Sequence, residues 1–200
     1  MYENYKHFMD KYVKLNRVEW GLFRSKLQTL HYAKGQILHY AGDVMERLMF
    51  IESGIIRAYI ITDEGKDVTW YIYFNDPNAQ MVNLYVIDYD SFIHQIPSEL
   101  SFEVLEDCQL TSIAYSDVQF FYNYRKKGAT FGRLMAELAY TKVHRLYQSM
   151  LKDDAATRFE KFMHETPYLL DKVPQYHIAS MLGVAPQTLS KLKSRHASPK

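Results

Sequence analysis

The 200 residues contain a single cysteine, Cys108. That excludes an internal disulfide, a thiolate zinc site and an iron–sulfur cluster held by several cysteines. No run approaches the roughly 18 uninterrupted apolar residues of a membrane span, and the N-terminus has no signal-peptide pattern. A soluble, cytoplasmic chain with no membrane partner is therefore expected. The eight histidines include no H-x-H pair, whereas a metal-binding β-barrel of the cupin type needs such a pair plus a carboxylate and a further histidine. His31, His39 and His94 accordingly read as surface or hydrogen-bonded residues. A haem held by one His or by Cys108 finds no support in the spacing. No nucleophile–base pair and no phosphate-binding glycine loop occurs either. The reading is a non-enzyme with no catalytic residue, no metal site and no cofactor.

Charge is nearly balanced over the whole chain, at +1, but not along it. From Lys172 to Lys200 there are five Lys or Arg and no Asp or Glu, which leaves the preceding residues at −4. A cationic end on a mildly acidic body is the asymmetry expected where one module alone meets phosphates.

Residues 2 to about 30 read as helical, a lid helix or helix pair, with Phe8, Tyr12, Leu15, Trp20, Phe23 and Leu27 recurring at three- to five-residue intervals. From His31 to Phe74 the pattern changes to short β-rich runs, QILHY, RLMFIES, IIRAYII and DVTWYIYF, with Gly35, Gly42, Gly54 and Gly65 at turn positions between them. Asp63-Glu64-Gly65-Lys66 predicts a hairpin loop. A polar stretch interrupted by Pro77 and Pro97 holds a short helix near Leu84 to His94, and a second β stretch runs from about Leu100 to Tyr115. Several short strands at regular spacing predict a sandwich or barrel, and the 17 tyrosines, mostly in the first three-quarters, agree with a strand-rich body.

Ser116-Asp117 opens a short helix, and after Gly128 comes the longest helical pattern in the chain. Met135, Ala139, Val143, Leu146 and Met150 form one apolar stripe, with Phe131, Leu134 and Leu138 beside it. Packing on its own domain needs one face; a second could bury against another copy, although one broad core-facing stripe gives the same pattern. Asp153 or Asp154 caps a following helix through about Glu165, with Phe159 and Phe162 inward, and Thr166-Pro167 ends it.

The last segment, Gln175 to Lys193, carries the strongest local signal. Ile178, Leu182, Val184, Leu189 and Leu192 fall where two short crossing helices bury them. Gly183 suits a positive φ in the turn and Pro186 the first turn of the second helix. This is a helix-turn-helix, whose second helix normally lies in the DNA major groove. Gln187, Thr188, Ser190, Lys191 and Ser194 are left outward, able to touch base edges and phosphates.

The order of these parts is itself informative. Lys34-Gly35, Ala41-Gly42-Asp43, Ile51-Glu52-Ser53-Gly54 and Asp63 to Lys66 precede a long helix and the ending VPQYHIASMLGVAPQTLSKLK. Over nearly its full length the chain resembles the Crp/Fnr family of bacterial transcription regulators, in a short variant. The resemblance implies an α+β architecture: an N-terminal jelly-roll, or double-stranded β-helix, sensor similar to a cyclic-nucleotide-binding domain over 1–127, a dimerisation helix over 128–151, and a helix-turn-helix domain over 152–200. It implies double-stranded DNA, a second copy, a small-molecule effector and RNA polymerase as partners. The implied DNA-contacting residues are Gln175, Pro186, Gln187, Thr188, Ser190, Lys191, Lys193, Ser194 and Arg195. Phe131, Leu134, Met135, Leu138, Ala139, Val143, Leu146 and Met150 are implied at the dimer interface, and Trp70, Tyr73, Tyr85, Ser91, Phe92 and Ser98 around the effector pocket.

Two departures qualify that expectation. Cyclic-nucleotide binders of the family carry a Gly-Glu pair and then an arginine followed by a small residue, whereas Tyr85 to Leu110 holds no Gly, Arg or Lys and includes Asp88, Asp90, Glu99, Glu103 and Glu106. A cyclic phosphate is therefore not expected as effector, unless Arg57 or Lys66 reaches in from another strand; a neutral or apolar ligand is. Few residues follow the recognition helix, so the β-hairpin wing of many relatives is not expected. The alternatives are a small-molecule- or metal-binding barrel without DNA binding, and a partner-binding protein that has lost DNA binding.

Overall fold

A computed structural model describes residues 2–76, 79, 81–124 and 126–197, with the side chains of Val82 and Ala197 set aside. Pro77 and Lys200, which figure in the sequence patterns above, lie outside the described residues.

The N-terminal helical pattern is a pair. Helix α1 (Glu3–Asp10) buries Tyr5, Phe8 and Met9, and α2 (Arg17–Arg24) begins at a capping box. The Asn16 side chain accepts from the backbone of Val18 and Glu19, while Glu19 accepts the Asn16 N–H at 2.8 Å.

The strands are β1 (Gln28–Tyr32), β2 (Ile37–His39), β3 (Arg47–Ile61) and β4 (Asp67–Phe74), then β5 (Tyr85–Val86) and β6 (Ser101–Ala114), all antiparallel. They form one sheet in the order β1-β6-β3-β4, with β2 added to β6 and β5 to β3. The expected single helix near Leu84 to His94 is instead α3 (Met81–Leu84), the two residues of β5, and α4 (Tyr89–His94) capped by Asp88. The Asp63–Lys66 hairpin loop is present, closed by the Gly65 N–H to Thr62 and the Thr62 N–H to Lys66.

Gly54 does not turn the chain between two strands. It lies inside the 15-residue β3 with φ +95°, and a Cβ there would sit 2.4 Å from the Asp107 carbonyl oxygen and 2.6 Å from Cys108 Cβ. The register between β3 and β6 shifts repeatedly around it, as a bulge requires. The break divides the sheet into two leaves. Residues 47–53 of β3 and the second half of β6 pair with β5 and β1; residues 55–61 and the first half of β6 pair with β4 and β2. In the second leaf, alternate residues separate into two cores. Ile56, Ala58, Tyr73, Phe102 and Val104 join the core of the roll, whereas Ile55, Ile72, Phe74 and Leu105 pack under the C-terminal helices.

Helix α5 (Tyr115–Tyr124) leads into α6 (Lys126–Lys152). A Cβ on Gly128 would collide with the Phe121 carbonyl oxygen, and one on Gly132 with the Tyr122 ring. The two glycines thus let α5 and α6 close on each other. Asp154, not Asp153, caps α7 (Ala155–Glu165), accepting from the Thr157 N–H at 2.8 Å. Then follow α8 (Leu169–Lys172), α9 (Gln175–Met181) and α10 (Pro186–Ala197), which share a core of Phe159, Phe162, Leu169, Ile178, Ala179 and Leu189. Each large side chain buried there is worth about 1.5–3 kcal/mol. Among the described residues no helix is long and apolar enough to cross a membrane.

Candidate functional site

The α9–α10 pair has the geometry its residues dictate. Gly183 takes φ +64°, the Val184 N–H returns to the Ala179 carbonyl, and Pro186 is the first residue of α10. Arg158 on α7 clamps the turn, donating from Nε to the Leu182 carbonyl at 2.9 Å and from Nη1 to the Asp153 carbonyl at 2.5 Å. Nothing in local spacing singled out that arginine.

With Leu189 fully buried, Gln187, Ser190, Lys191, Ser194 and Arg195 are exposed. Their spacing, i, i+3, i+4, i+7 and i+8, is one face of a helix. Gln175 and Pro186 are exposed beside them, and Thr188 is half-buried. Lys193 departs from the expected set: it is half-buried and lines a groove with Phe159, Tyr168, Asp171 and His196, because its position turns it toward α7 and α8.

Beneath α9 lies a polar cluster that sequence reasoning missed. His177, 2% exposed, brings Nδ1 to 3.1 Å from the Thr69 hydroxyl on β4, and the Thr69 N–H donates to Ser180 Oγ at 2.9 Å. Arg57 on β3, also buried, donates from Nη1 and Nη2 to both oxygens of Asp67 at 2.6 and 2.7 Å and from Nε to Glu103 at 2.7 Å, over the face of Tyr59. Burial opposes the guanidinium charge, but Asp67 and Glu103 hold its pKa above the ordinary arginine value. Burial pushes the His177 imidazole down to about 4, and the Arg57 charge adds to this. His177 is thus neutral at pH 7.

The roll interior corrects several expectations. Tyr73 and Phe92 are buried in its core with Phe102. Trp70, 59% exposed, lies at the point where the β3–β4 register slips between Ala58 and Tyr59, so the bulge turns it outward. Tyr85 pairs with Phe50 and faces α1, its hydroxyl 3.4 Å from that of Tyr5. Ser91 and Ser98 are committed internally, Ser91 to the Ile96 carbonyl and the Met45 N–H, Ser98 to Asp88 and the Leu100 carbonyl. Arg57 and Glu103 face α9 rather than the interior, and Lys66 sits in the exposed hairpin, so neither cation reaches in.

Along α6, Phe131, Met135 and Ala139, expected at a dimer interface, are partly buried against the first core of their own chain. Leu134 is half-buried. Leu138, Val143, Leu146 and Met150 are exposed, since the helix runs on past the layer that covers its beginning. Among the described residues no group of three His, Cys, Asp or Glu is placed to hold a metal. His94 pairs with Asp90 on the surface, and burial pushes the Cys108 thiol up to about 11.

Residues 29–125 match the family model of the cyclic nucleotide-binding domain. Among the solved structures similar over most of their length are the following three. A structure named as a transcriptional regulator of the Crp/Fnr family, from Eubacterium rectale, is 22% identical with a TM-score of 0.67, covering 96% of this chain and 87% of that one. FixK2 from Bradyrhizobium japonicum is 13% identical with a TM-score of 0.67, covering 84% and 83%. A structure named as a cAMP-binding regulatory protein, from Silicibacter pomeroyi, is 16% identical with a TM-score of 0.62, covering 90% and 80%. Two of the three are regulators by name, and no curated protein matches the sequence. Residues 29–125 are thus similar to the cyclic nucleotide-binding domain, and over most of its length the chain shares the fold of these solved structures.

Proposed function

We propose that the chain is a DNA-binding transcription regulator of Crp/Fnr type. It reads a near-palindromic site as a dimer and responds to an effector other than cyclic AMP. Residues 1–127 act as sensor, 128–151 as dimerisation helix and 152–200 as helix-turn-helix domain, with α9 and α10 as its two helices. The observation that carries the reading is the exposed stripe of Gln187, Ser190, Lys191, Ser194 and Arg195 on a helix whose opposite side is locked by Leu189 and by the Gly183 turn. Short polar and cationic side chains on one helix face are what major-groove reading needs.

The exposed apolar residues of α6 support the dimer. Leu138, Val143, Leu146 and Met150 recur at helical spacing, and burying four such residues on each partner offsets the entropy lost on association. A two-fold dimer presents its α10 helices about 34 Å apart, one turn of DNA. Selection of the purified full chain on a randomised duplex library tests the reading: enriched two-fold-symmetric half-sites are expected. Enrichment of nothing over input, at low salt and with a stable dimer, would leave a barrel that binds small molecules without DNA.

A further inference from the structure

An apolar cavity of about 70 Å³ lies beneath the N-terminal helix pair. Leu15 and Leu22 of the N-terminal pair close one side, Leu48 and Ile113 on the outer face of the first leaf form the floor, and Val118 of α5 and Phe131 of α6 close the other. Protein interiors are normally close-packed, and apolar walls of this kind favour an apolar occupant over water. At its rim Lys127 Nζ, on the first turn of α6, pairs with Glu19 Oε2 at 2.7 Å. Glu19 is the same residue that completes the capping box of α2, so one carboxylate ties the start of α2 to the start of α6 across the opening.

We infer that this cavity is the effector site, and that its ligand is a small, uncharged, apolar molecule. The inference rests on the regulator reading for its consequence, not for the site. The walls are apolar and offer no unpaired charge: Glu19 and Lys127 neutralise each other, so a carboxylate or ammonium on the ligand would enter without a counter-ion. Tyr122, also in the wall, is a neutral phenol, since burial pushes it up to about 12, and it suits at most one polar atom on the ligand.

The position explains how occupancy would be felt elsewhere. The cavity wall includes Lys127, Gly128 and Phe131, the first turns of α6. Gly128 and Gly132 let α5 close directly against that end, at the Phe121 carbonyl and the Tyr122 ring. The whole helix is 27 residues long, about 40 Å at 1.5 Å per residue, and Met150 lies in its last turn. There the Met150 Cε lies so close to Gly183 that a Cβ on the glycine would meet it at 2.8 Å. One continuous helix therefore joins the cavity to the turn between α9 and α10.

The test uses the full chain with indole and benzene as probes and benzoate as the charged control. Methyl NMR should show saturable shifts at Leu48, Ile113 and Val118 with indole or benzene, and at least tenfold weaker binding of benzoate. Val118→Phe and Leu22→Phe each fill the void and should abolish the shifts while circular dichroism stays unchanged. Absence of saturable binding by both probes overturns the site, as does binding that persists in whichever filled variant folds. Equal binding of benzoate overturns the ligand class. In the same samples, indole should change affinity for a selected duplex at least threefold, and not in the filled variants. Binding of indole with no change in DNA affinity overturns the coupling along α6, whereas indole binding by a chain that selects no DNA at all overturns the regulator reading and leaves the site standing.

Discussion

The hydroxyl of Thr69 on β4 lies 3.1 Å from Nδ1 of His177 on α9, although 108 residues separate them. With the Thr69 N–H bonded to Ser180, this fastens the first helix of the proposed DNA-binding unit to the β-sheet. Arg57, Asp67 and Glu103 close the cluster from below. The joint is polar and buried, so it depends on every member keeping its protonation state.

That dependence has a direction. The folded His177 imidazole titrates near 4, below its ordinary value of 6.5. As pH falls through 6.5 the unfolded chain takes up a proton that the folded chain refuses until about 4. Stability from this group is therefore complete above pH 6.5 and is lost progressively down to about pH 4. Urea titrations at pH 7.5, 6 and 5 should give successively lower midpoints. In His177→Asn, which keeps a polar partner for Thr69 but does not titrate in this range, the decline should be shallower, at a cost of about 1 kcal/mol at neutral pH.

Gly54→Ala should destabilise the sheet by about 3 kcal/mol or more, since it adds left-handed strain to a collision with the β6 backbone at Asp107. Gly65→Ala, with positive φ but open space around it, should cost only about 1 kcal/mol. Equal losses in chemical denaturation would mean that the close approach of β3 to β6 is not what requires glycine at 54.

Cyclic AMP and cyclic GMP should show no saturable heat of binding up to millimolar concentration. A cyclic phosphate entering the roll needs a cation or several N–H donors. The segment from Tyr85 to Leu110 supplies no Arg or Lys, and Arg57 is held outside by Asp67 and Glu103. Saturable binding that Arg57→Ala abolishes would show that the cluster opens to admit the phosphate.

On α10 the roles should divide. Gln187→Ala is expected to relax specificity at one base position per half-site, costing about 1–3 kcal/mol there. Arg195→Ala should weaken all sequences alike and lower the salt slope by about one per half-site. Lys193→Ala should do less than Arg195→Ala, because Lys193 is half-buried in the groove beside Asp171. Binding profiles across an operator library at two salt concentrations separate the three.

Val143→Glu and Leu146→Glu should each convert the dimer to monomer at micromolar concentration in light scattering, since they put a charge where two apolar faces are proposed to meet. Met135→Glu should instead unfold the chain, as Met135 packs on its own core. A variant at 143 or 146 that remains dimeric would move the dimer seam away from this half of α6.

Much of this molecule was legible along the chain because the signals are local. Gly35, Gly42, Gly65 and Gly183 have the positive φ that their turn positions demand, Asp154 caps α7, and the spacing of Ile178, Leu182 and Leu189 sets which side of α9 and α10 is buried. Periodicity reports one residue's relation to the next turn or the next strand position, and in these places that relation is sufficient. Gly54 shows the limit: a glycine between two β runs reads as a turn, and only the approach of Asp107 and Cys108 from β6 makes it a bulge inside a continuous strand.

What sequence by itself determined is the kind and order of elements: two helices, a β-roll with its hairpins, a long amphipathic helix, and a helix pair around Gly183. Tertiary structure alone decided what each second face meets. It turned Arg57 and Glu103 away from the roll and toward His177, put Trp70 outside and Tyr85 under α1, covered Phe131 and Met135 while leaving Val143 and Leu146 bare, and opened the cavity beneath the Glu19–Lys127 pair. Alternation along a strand or helix states that two faces differ; which neighbour covers each depends on contacts between residues 46 to 111 positions apart, and no local pattern carries that information.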